Sequence, residues 1–237
     1  YKGRIAAVVL EPIRNIYPEN DILQTVREVT KREDIVLIED EVSAGFRLNC
    51  GGAHLTLGFE PDMAVLAKAL GNGYPMSVIF GKAGYMESAQ STFISSTYWT
   101  ERTGLCAALA VIKKYQTEHV EKHLDRIGKM VLGGWKDAAN QYGVKIKLSG
   151  IPPLAHFEFE LDSPLACNTY FTQEMLKKGF LATNAFYASY AHKETDVLEY
   201  LNAVNQVFRQ ISEITASSDI MRHLDGPLRQ TGFQRLT

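Results

Sequence analysis

Short apolar runs alternate with amphipathic stretches along the first third of the chain. Arg4–Glu11 (RIAAVVLE) is apolar until Glu11–Pro12, and a central strand cannot continue through a proline. Asp21–Arg32 (DILQTVREVTKR) sets Ile22, Leu23, Val26 and Val29 on one helical stripe, with Asp21 in the N-cap position. Ile35–Ile38 and Met63–Ala67 are again apolar runs of strand length, ending at Glu39–Asp40–Glu41 and at Lys68. Strand, helix, strand in this order is a βαβ unit with a right-handed crossover. Met76–Gly81 reads as a further strand. A helix follows from about Glu101, with Ala107, Ala108 and Ala110 allowing close packing. The pattern therefore predicts an α/β protein.

The second half changes character. Glu118 to Tyr142 alternates charged and apolar residues at helical spacing, a long connector into a second domain. Ile146–Leu148 and Ala155–Leu161 (AHFEFEL) alternate with period two, as half-exposed antiparallel strands do. Ser163–Lys178 reads as a helix stopped by Gly179, and Phe180–Thr183 as a short strand. The stretch from Ala185 to Phe208 reads as a strand leading into a capped helix, and the tail to Thr237 has no strong pattern. The expected division is 1–120 and 121–237.

Composition narrows the function classes. The 237 residues are 46% hydrophobic and 22% charged with a formal net charge of −2, which gives no electrostatic case for nucleic acid or a membrane surface. No wholly apolar run, Ile5–Leu10 and Leu105–Ile112 included, approaches the ~20 residues a membrane helix needs. No charged-then-apolar leader is present. Cys50, Cys106 and Cys167 are odd in number and lack metal-ligand spacing, so reduced thiols in a cytoplasmic protein are expected, with no metal.

The chemistry is concentrated at two strand ends. In open α/β sheets ligands bind beyond the carboxyl ends of the strands, where Asp40 and Lys68 stand. Pyridoxal phosphate needs such a pair: a lysine for the Schiff base and a carboxylate to keep its ring nitrogen protonated. Each residue alone also fits a plainer role, Asp40 as a strand-end cap and Lys68 as a snorkelling surface lysine.

The text DEVSAGFR (Asp40–Arg47) followed by PDMAVLAKALGNGYP (Pro61–Pro75) resembles the class III, fold-type I pyridoxal-phosphate aminotransferases, and within them the glutamate-1-semialdehyde 2,1-aminomutase-like group. The resemblance implies the C-terminal part of a large, mostly parallel-sheet domain followed by a small α+β domain. It assigns Asp40 to the pyridine nitrogen, Lys68 to the Schiff base, and Val42 to one face of the ring. Glu39 departs from the family, which has an aromatic or apolar residue there, and Ala44 replaces a common threonine. STYWTERTG is similar to a family segment that reaches across a homodimer to the partner's cofactor phosphate, which makes Ser96 and Thr97 hydroxyl donors. The family's Gly-Asn-Pro is absent there. Ser189, Ala191, His192 and Asp196 repeat another family pattern, with His192 in a structural role.

Other residues carry open alternatives. Glu11 is expected at the site edge, and Arg14 and Asn15 are candidates for substrate contact or are solvated loop residues. Arg47 suits a bidentate substrate carboxylate or a surface ion pair. His54 reads as a solvated loop histidine. Gly71 and Gly73 lack the third glycine of a dinucleotide fingerprint and more plausibly turn the backbone after Lys68.

The chain begins at Tyr1 and enters a strand within a few residues. The resemblance then implies the carboxyl-terminal half of an enzyme, inactive by itself, whose other half holds the cofactor phosphate and the second ring face. Its reaction is amino-group transfer, as an aminotransferase or an aminomutase, acting on a small-molecule amine. The alternative is a non-catalytic α/β scaffold that needs its other half to bind cofactor. A nicotinamide oxidoreductase is disfavoured by the lack of G-x-G-x-x-G.

Overall fold

The computed structural model describes residues 3–19, 21–94, 97–98 and 100–232. The chain divides into two compact units, residues 1–124 and 125–237.

The first unit is built on a four-stranded sheet of order β1-β2-β3-β4: β1 (Ala7–Leu10), β2 (Val36–Asp40), β3 (Met63–Leu66) and β4 (Val78–Gly81). The first three strands run parallel and β4 is antiparallel to β3. Helix α1 (Ile22–Arg32) makes the β1–β2 crossover. Its apolar stripe is only partly covered: Leu23 and Val26 are half-buried, Ile22 and Val29 exposed. Asp21 occupies the N-cap position, but its side chain caps nothing, and it is its carbonyl that receives Thr25 N–H at 2.7 Å. In β2 alternate residues are buried, so Leu37 and Glu39 share the covered face while Ile38 and Asp40 face the other way.

A one-turn helix, α2 (His54–Leu57), precedes β3, and another, α3 (Ala83–Met86), follows β4. Helix α4 (Thr103–Glu118) starts two residues later than expected, because Glu101 accepts hydrogen bonds from the Thr103 N–H and hydroxyl. The predicted helix from Glu118 to Tyr142 is broken at its start: His119 adopts φ 50°, and α5 (Val120–Tyr142) begins beyond it.

The second unit carries a three-stranded antiparallel sheet of order β5-β6-β7: β5 (Ile146–Ser149), β6 (Leu154–Phe159) and β7 (Ala185–Tyr187). Helices α6 (Pro164–Lys177) and α7 (Glu194–Ser217) complete it. Phe180–Thr183 is not a strand. Leu181 there is 95% exposed, and the pairing with β6 is made instead by Ala185–Tyr187. The core of this unit is aromatic. Phe157 meets Trp135, Phe159, Phe171 and Phe208 with ring centroids 4.8–5.7 Å apart, and the Trp135 indole donates to the Tyr200 hydroxyl at 2.9 Å. At the α7 start Asp196 accepts the Lys193 N–H at 3.0 Å, and the His192 ring accepts from the Ser189 N–H at 3.0 Å.

Among the described residues no helix is long and apolar enough to cross a membrane.

Candidate active site at the carboxyl ends of β2 and β3

Parallel pairing sets the two candidate residues side by side. Asp40 is in register with Val65, and Glu41 N–H continues the ladder to Val65 O at 3.0 Å. Lys68 follows three residues after Val65, two beyond the end of β3, so both leave the sheet at its carboxyl edge. Glu11 leaves it at the same edge, since Leu10 is in register with Glu39.

The backbone beyond β2 folds back at once. Gly45 N–H donates to Glu41 O at 2.8 Å, and a Cβ on Gly45 would stand 2.8 Å from that same backbone oxygen, so the turn requires glycine. The tight turn buries Ser43 and aims its hydroxyl at Lys68, whose ammonium donates to Ser43 Oγ at 2.7 Å. Lys68 itself has φ 43°, a left-handed conformation that costs a side-chain-bearing residue ~1–2 kcal/mol. The turn after it is held by Asn72 N–H to Lys68 O at 2.9 Å, and Gly73 takes φ 104°. Gly71 is not in the left-handed region; it is required because a Cβ would meet Tyr74 O at 2.4 Å.

Asp40 is half-buried, and its Oδ1 accepts the Val42 N–H at 3.0 Å, which fixes the carboxylate at the strand end. Val42 is half-buried beside it. Arg47 Nε reaches Ser43 O at 3.4 Å, so it belongs to the same turn. The turn is anchored from α4: the buried Tyr115 hydroxyl donates to Phe46 O, and the two rings meet edge-on at 5.5 Å. Burial holds the Tyr115 hydroxyl well above its usual range.

Asp40, Val42, Ser43, Arg47 and Lys68 thus share one loop-and-strand-end cluster. The other candidates are placed differently. Glu11 and Arg14 form a local ion pair at 3.4 Å, both exposed, and Asn15 is exposed next to them. Thr97 is an exposed turn residue; Ser96 lies outside the described residues. Tyr98, Glu101 and Thr103, from the segment after Thr97, line an open cleft with Tyr74 and Pro75 of the turn beyond Lys68.

Behind Asp40, on the opposite face of the strand, is a second cluster. The His54 side chain is 12% exposed, not solvated as expected, and its Nδ1 is hydrogen-bonded to Glu41. Glu41 also accepts the N–H groups of Ala53 and His54. Burial pushes Glu41 up, but these hydrogen bonds outweigh it and hold it below its usual range. Glu39 is fully buried with the Glu41 carboxylate near it, and it is pushed up to about 9, burial being the larger cause.

Ser43, Tyr115 and the Glu41–His54 pair were not singled out from sequence. The reach of Ser43 to Lys68 depends on how sharply the β2 exit turns, and Tyr115 lies 69 residues from its partner.

Residues 1–191 match the family model described as aminotransferase class-III. The chain belongs to this family. It is 33% identical over 220 residues to the glutamate-1-semialdehyde 2,1-aminomutase of Methanococcoides burtonii, covering 84% of this chain and 52% of that protein. It is also 33% identical over 164 residues to the same-named protein of Pyrobaculum arsenaticum, covering 66% of this chain and 39% of that one. Among solved structures it superposes on the FumI protein of Sphingopyxis sp. MTA144, described as a PLP internal aldimine form. The TM-score is 0.84 at 24% identity, over 92% of this chain and 55% of that one. The fold is that of the fold-type I pyridoxal-phosphate transferases. The chain spans about half the length, or less, of the curated relatives it matches.

Proposed function

We propose that this chain is the carboxyl-terminal half of a pyridoxal-phosphate enzyme that transfers an amino group, as an aminotransferase or a glutamate-1-semialdehyde-type aminomutase. The observation that carries the reading is the placement of Asp40 and Lys68 at the same end of adjacent parallel strands, with the lysine amine steered by buried Ser43.

The residues present fit the cofactor. Asp40, its carboxylate fixed by the Val42 N–H, would hold the ring nitrogen, Val42 would offer an apolar side chain to the ring, and Lys68 would supply the amine for its aldehyde. When bound, pyridoxal phosphate withdraws electrons from the substrate's α-carbon. The chain's own work is then positional and acid–base. Asp40 keeps the ring-nitrogen proton in place. Lys68 Nζ would carry the α-proton, help worth roughly 10²–10⁴-fold. Ser43 Oγ orients that amine, and Arg47, on the same turn, presents a guanidinium to a substrate carboxylate. Glu11, level with Asp40, bounds the substrate side with Arg14 and Asn15.

The assembly read this way is a homodimer, with Thr97 and Ser96 donating hydroxyls to the partner's cofactor phosphate. Residues 1–120 belong to the large domain and 121–237 form the small one. Three free thiols, Cys50 and Cys106 among them exposed, suit the reducing cytoplasm.

The test is to express the full-length protein, add pyridoxal phosphate, reduce with borohydride and locate the fixed cofactor by peptide mass. Attachment at Lys68, absent in Lys68→Ala, supports the reading. No attachment to well-folded wild type leaves the non-catalytic scaffold.

A further inference from the structure

We propose that Glu39, Glu41 and His54 form a buried binding site for one divalent first-row transition cation, of which Zn2+ suits the donor set best. One ligand atom from each residue lies within 4.8 Å of the others. The two carboxylates are 0% exposed and the imidazole 12% exposed, so the cluster is not a solvated acidic patch.

The observation that points to a ligand is Glu39. Both its carboxyl oxygens are buried, and as a carboxylate it has no hydrogen-bond partner among the described residues; only as the neutral acid does it bond, to Glu41. A buried polar group is normally satisfied, so an unsatisfied one aimed into a cluster of donors calls for an occupant. Its Oε2 lies 3.5 Å from His54 Nδ1, too long for a hydrogen bond of ordinary geometry. It is, however, the spacing of two ligands on one tetrahedral ion, about 3.3–3.6 Å for metal–donor bonds of ~2.0–2.2 Å.

Glu41 completes the set. One oxygen accepts the Ala53 N–H, the other faces His54 Nδ1. A carboxylate that ligates through one oxygen while a backbone N–H holds the other is an ordinary supported ligand. Without the ion, Glu41 and His54 close directly on each other; loading must part them by about 1 Å, to the donor spacing a tetrahedral ion keeps. Two carboxylates and a neutral imidazole give a charge-balanced site for a dication, and an N/O set with one imidazole favours zinc over calcium or magnesium.

Glu39 departs from the pattern the resemblance implies, which usually has an aromatic or apolar residue at this position. Two of the site's ligands, Glu39 and Glu41, flank Asp40 in sequence and face the opposite side of the strand. A bound ion would therefore tie the 51–54 turn to the strand end that presents Asp40.

The experiment uses the full-length protein, chelator-treated and dialysed, titrated with Zn2+ in a calorimeter, beside Glu39→Gln and His54→Gln. One ion per chain at micromolar or tighter affinity is expected, weakened at least about tenfold in both variants with circular dichroism unchanged. Zinc X-ray absorption on the wild-type 1:1 sample guards against variants that misfold, and should show an N/O shell with one imidazole and no sulfur. Failure of wild type to bind, undiminished binding in both folded variants, or a sulfur-containing shell would overturn the site. Protons alone would then occupy the cluster, or the ion would sit elsewhere.

Discussion

Lys68 donates to Ser43 across 2.7 Å, joining the end of β3 to the turn that leaves β2. The bond fixes the amine of a residue whose own backbone is already held at φ 43°. Strain of this kind survives only where surrounding contacts determine it, and here the Asn72–Lys68 backbone bond and the Ser43 hydroxyl do so. Ser43→Ala in the full-length protein should still attach pyridoxal phosphate at Lys68 but exchange the α-proton of an amine donor about tenfold more slowly, the worth of one ordinary hydrogen bond. Lys68→Ala should abolish both. Proton-exchange rates followed by NMR in deuterated buffer separate the two variants. An unchanged rate in Ser43→Ala would remove the serine from the mechanism.

The Tyr115–Phe46 contact makes a prediction about stability rather than chemistry. The tyrosine hydroxyl is the donor for a backbone carbonyl inside the turn, and both residues are buried. Tyr115→Phe keeps the edge-on ring packing and deletes only that donor, leaving Phe46 O unsatisfied at a cost of about 1–3 kcal/mol. Chemical denaturation of the full-length protein should show the lower midpoint with an unchanged slope.

Asp62 gives the first unit an acid-sensitive tie. Its carboxylate accepts Leu37 N–H at 2.9 Å and Arg27 at 2.8 Å, and Lys82 reaches the other oxygen at 3.1 Å. Burial works to raise its pKa, but these three donors outweigh it and hold it below the usual 3.8. A carboxyl depressed in the folded state contributes stability that is present above its unfolded value. That stability is lost as pH falls from about 4 through the folded value. Stability measured from pH 6 down to 2 should therefore fall more steeply for wild type than for Asp62→Asn, which should itself be about 1–3 kcal/mol less stable at neutral pH. Parallel curves would show that the carboxylate charge does not matter.

The apolar runs that became β1 to β4 were legible because each is continuous, of strand length and bounded by turn-forming or charged residues, although in this chain β1 and β4 carry no buried residue. The same reasoning found β7 at the start of the stretch from Ala185 but added a strand before it. Phe180–Thr183 is as apolar as Ala185–Tyr187, and only pairing with β6 decides between them, a long-range contact that local pattern does not encode. Asp40 and Lys68 were legible because strand ends mark where a site must sit. His54 was misread as solvated because its burial depends on the Gly51–Gly52 turn folding it back onto β2. Glu39 was noticed as a departure from the family, but its confinement beside Glu41 follows from strand alternation combined with that same turn.

The aromatic core of the second unit supports a last prediction. Phe157 sits on the central strand of the β5-β6-β7 sheet, fully buried, in contact with four other rings. Truncation to alanine removes the edge-on contacts and leaves a void that Trp135 and Phe208, both fully buried themselves, have little room to fill. Phe157→Ala should cost about 3–5 kcal/mol. Because the contacts lie within one compact unit, the loss should concentrate there: amide exchange in β5, β6 and α7 should quicken markedly, while β2 and β3 keep their protection. Equal loss in both sets of strands would instead mean that the two units unfold as one cooperative body.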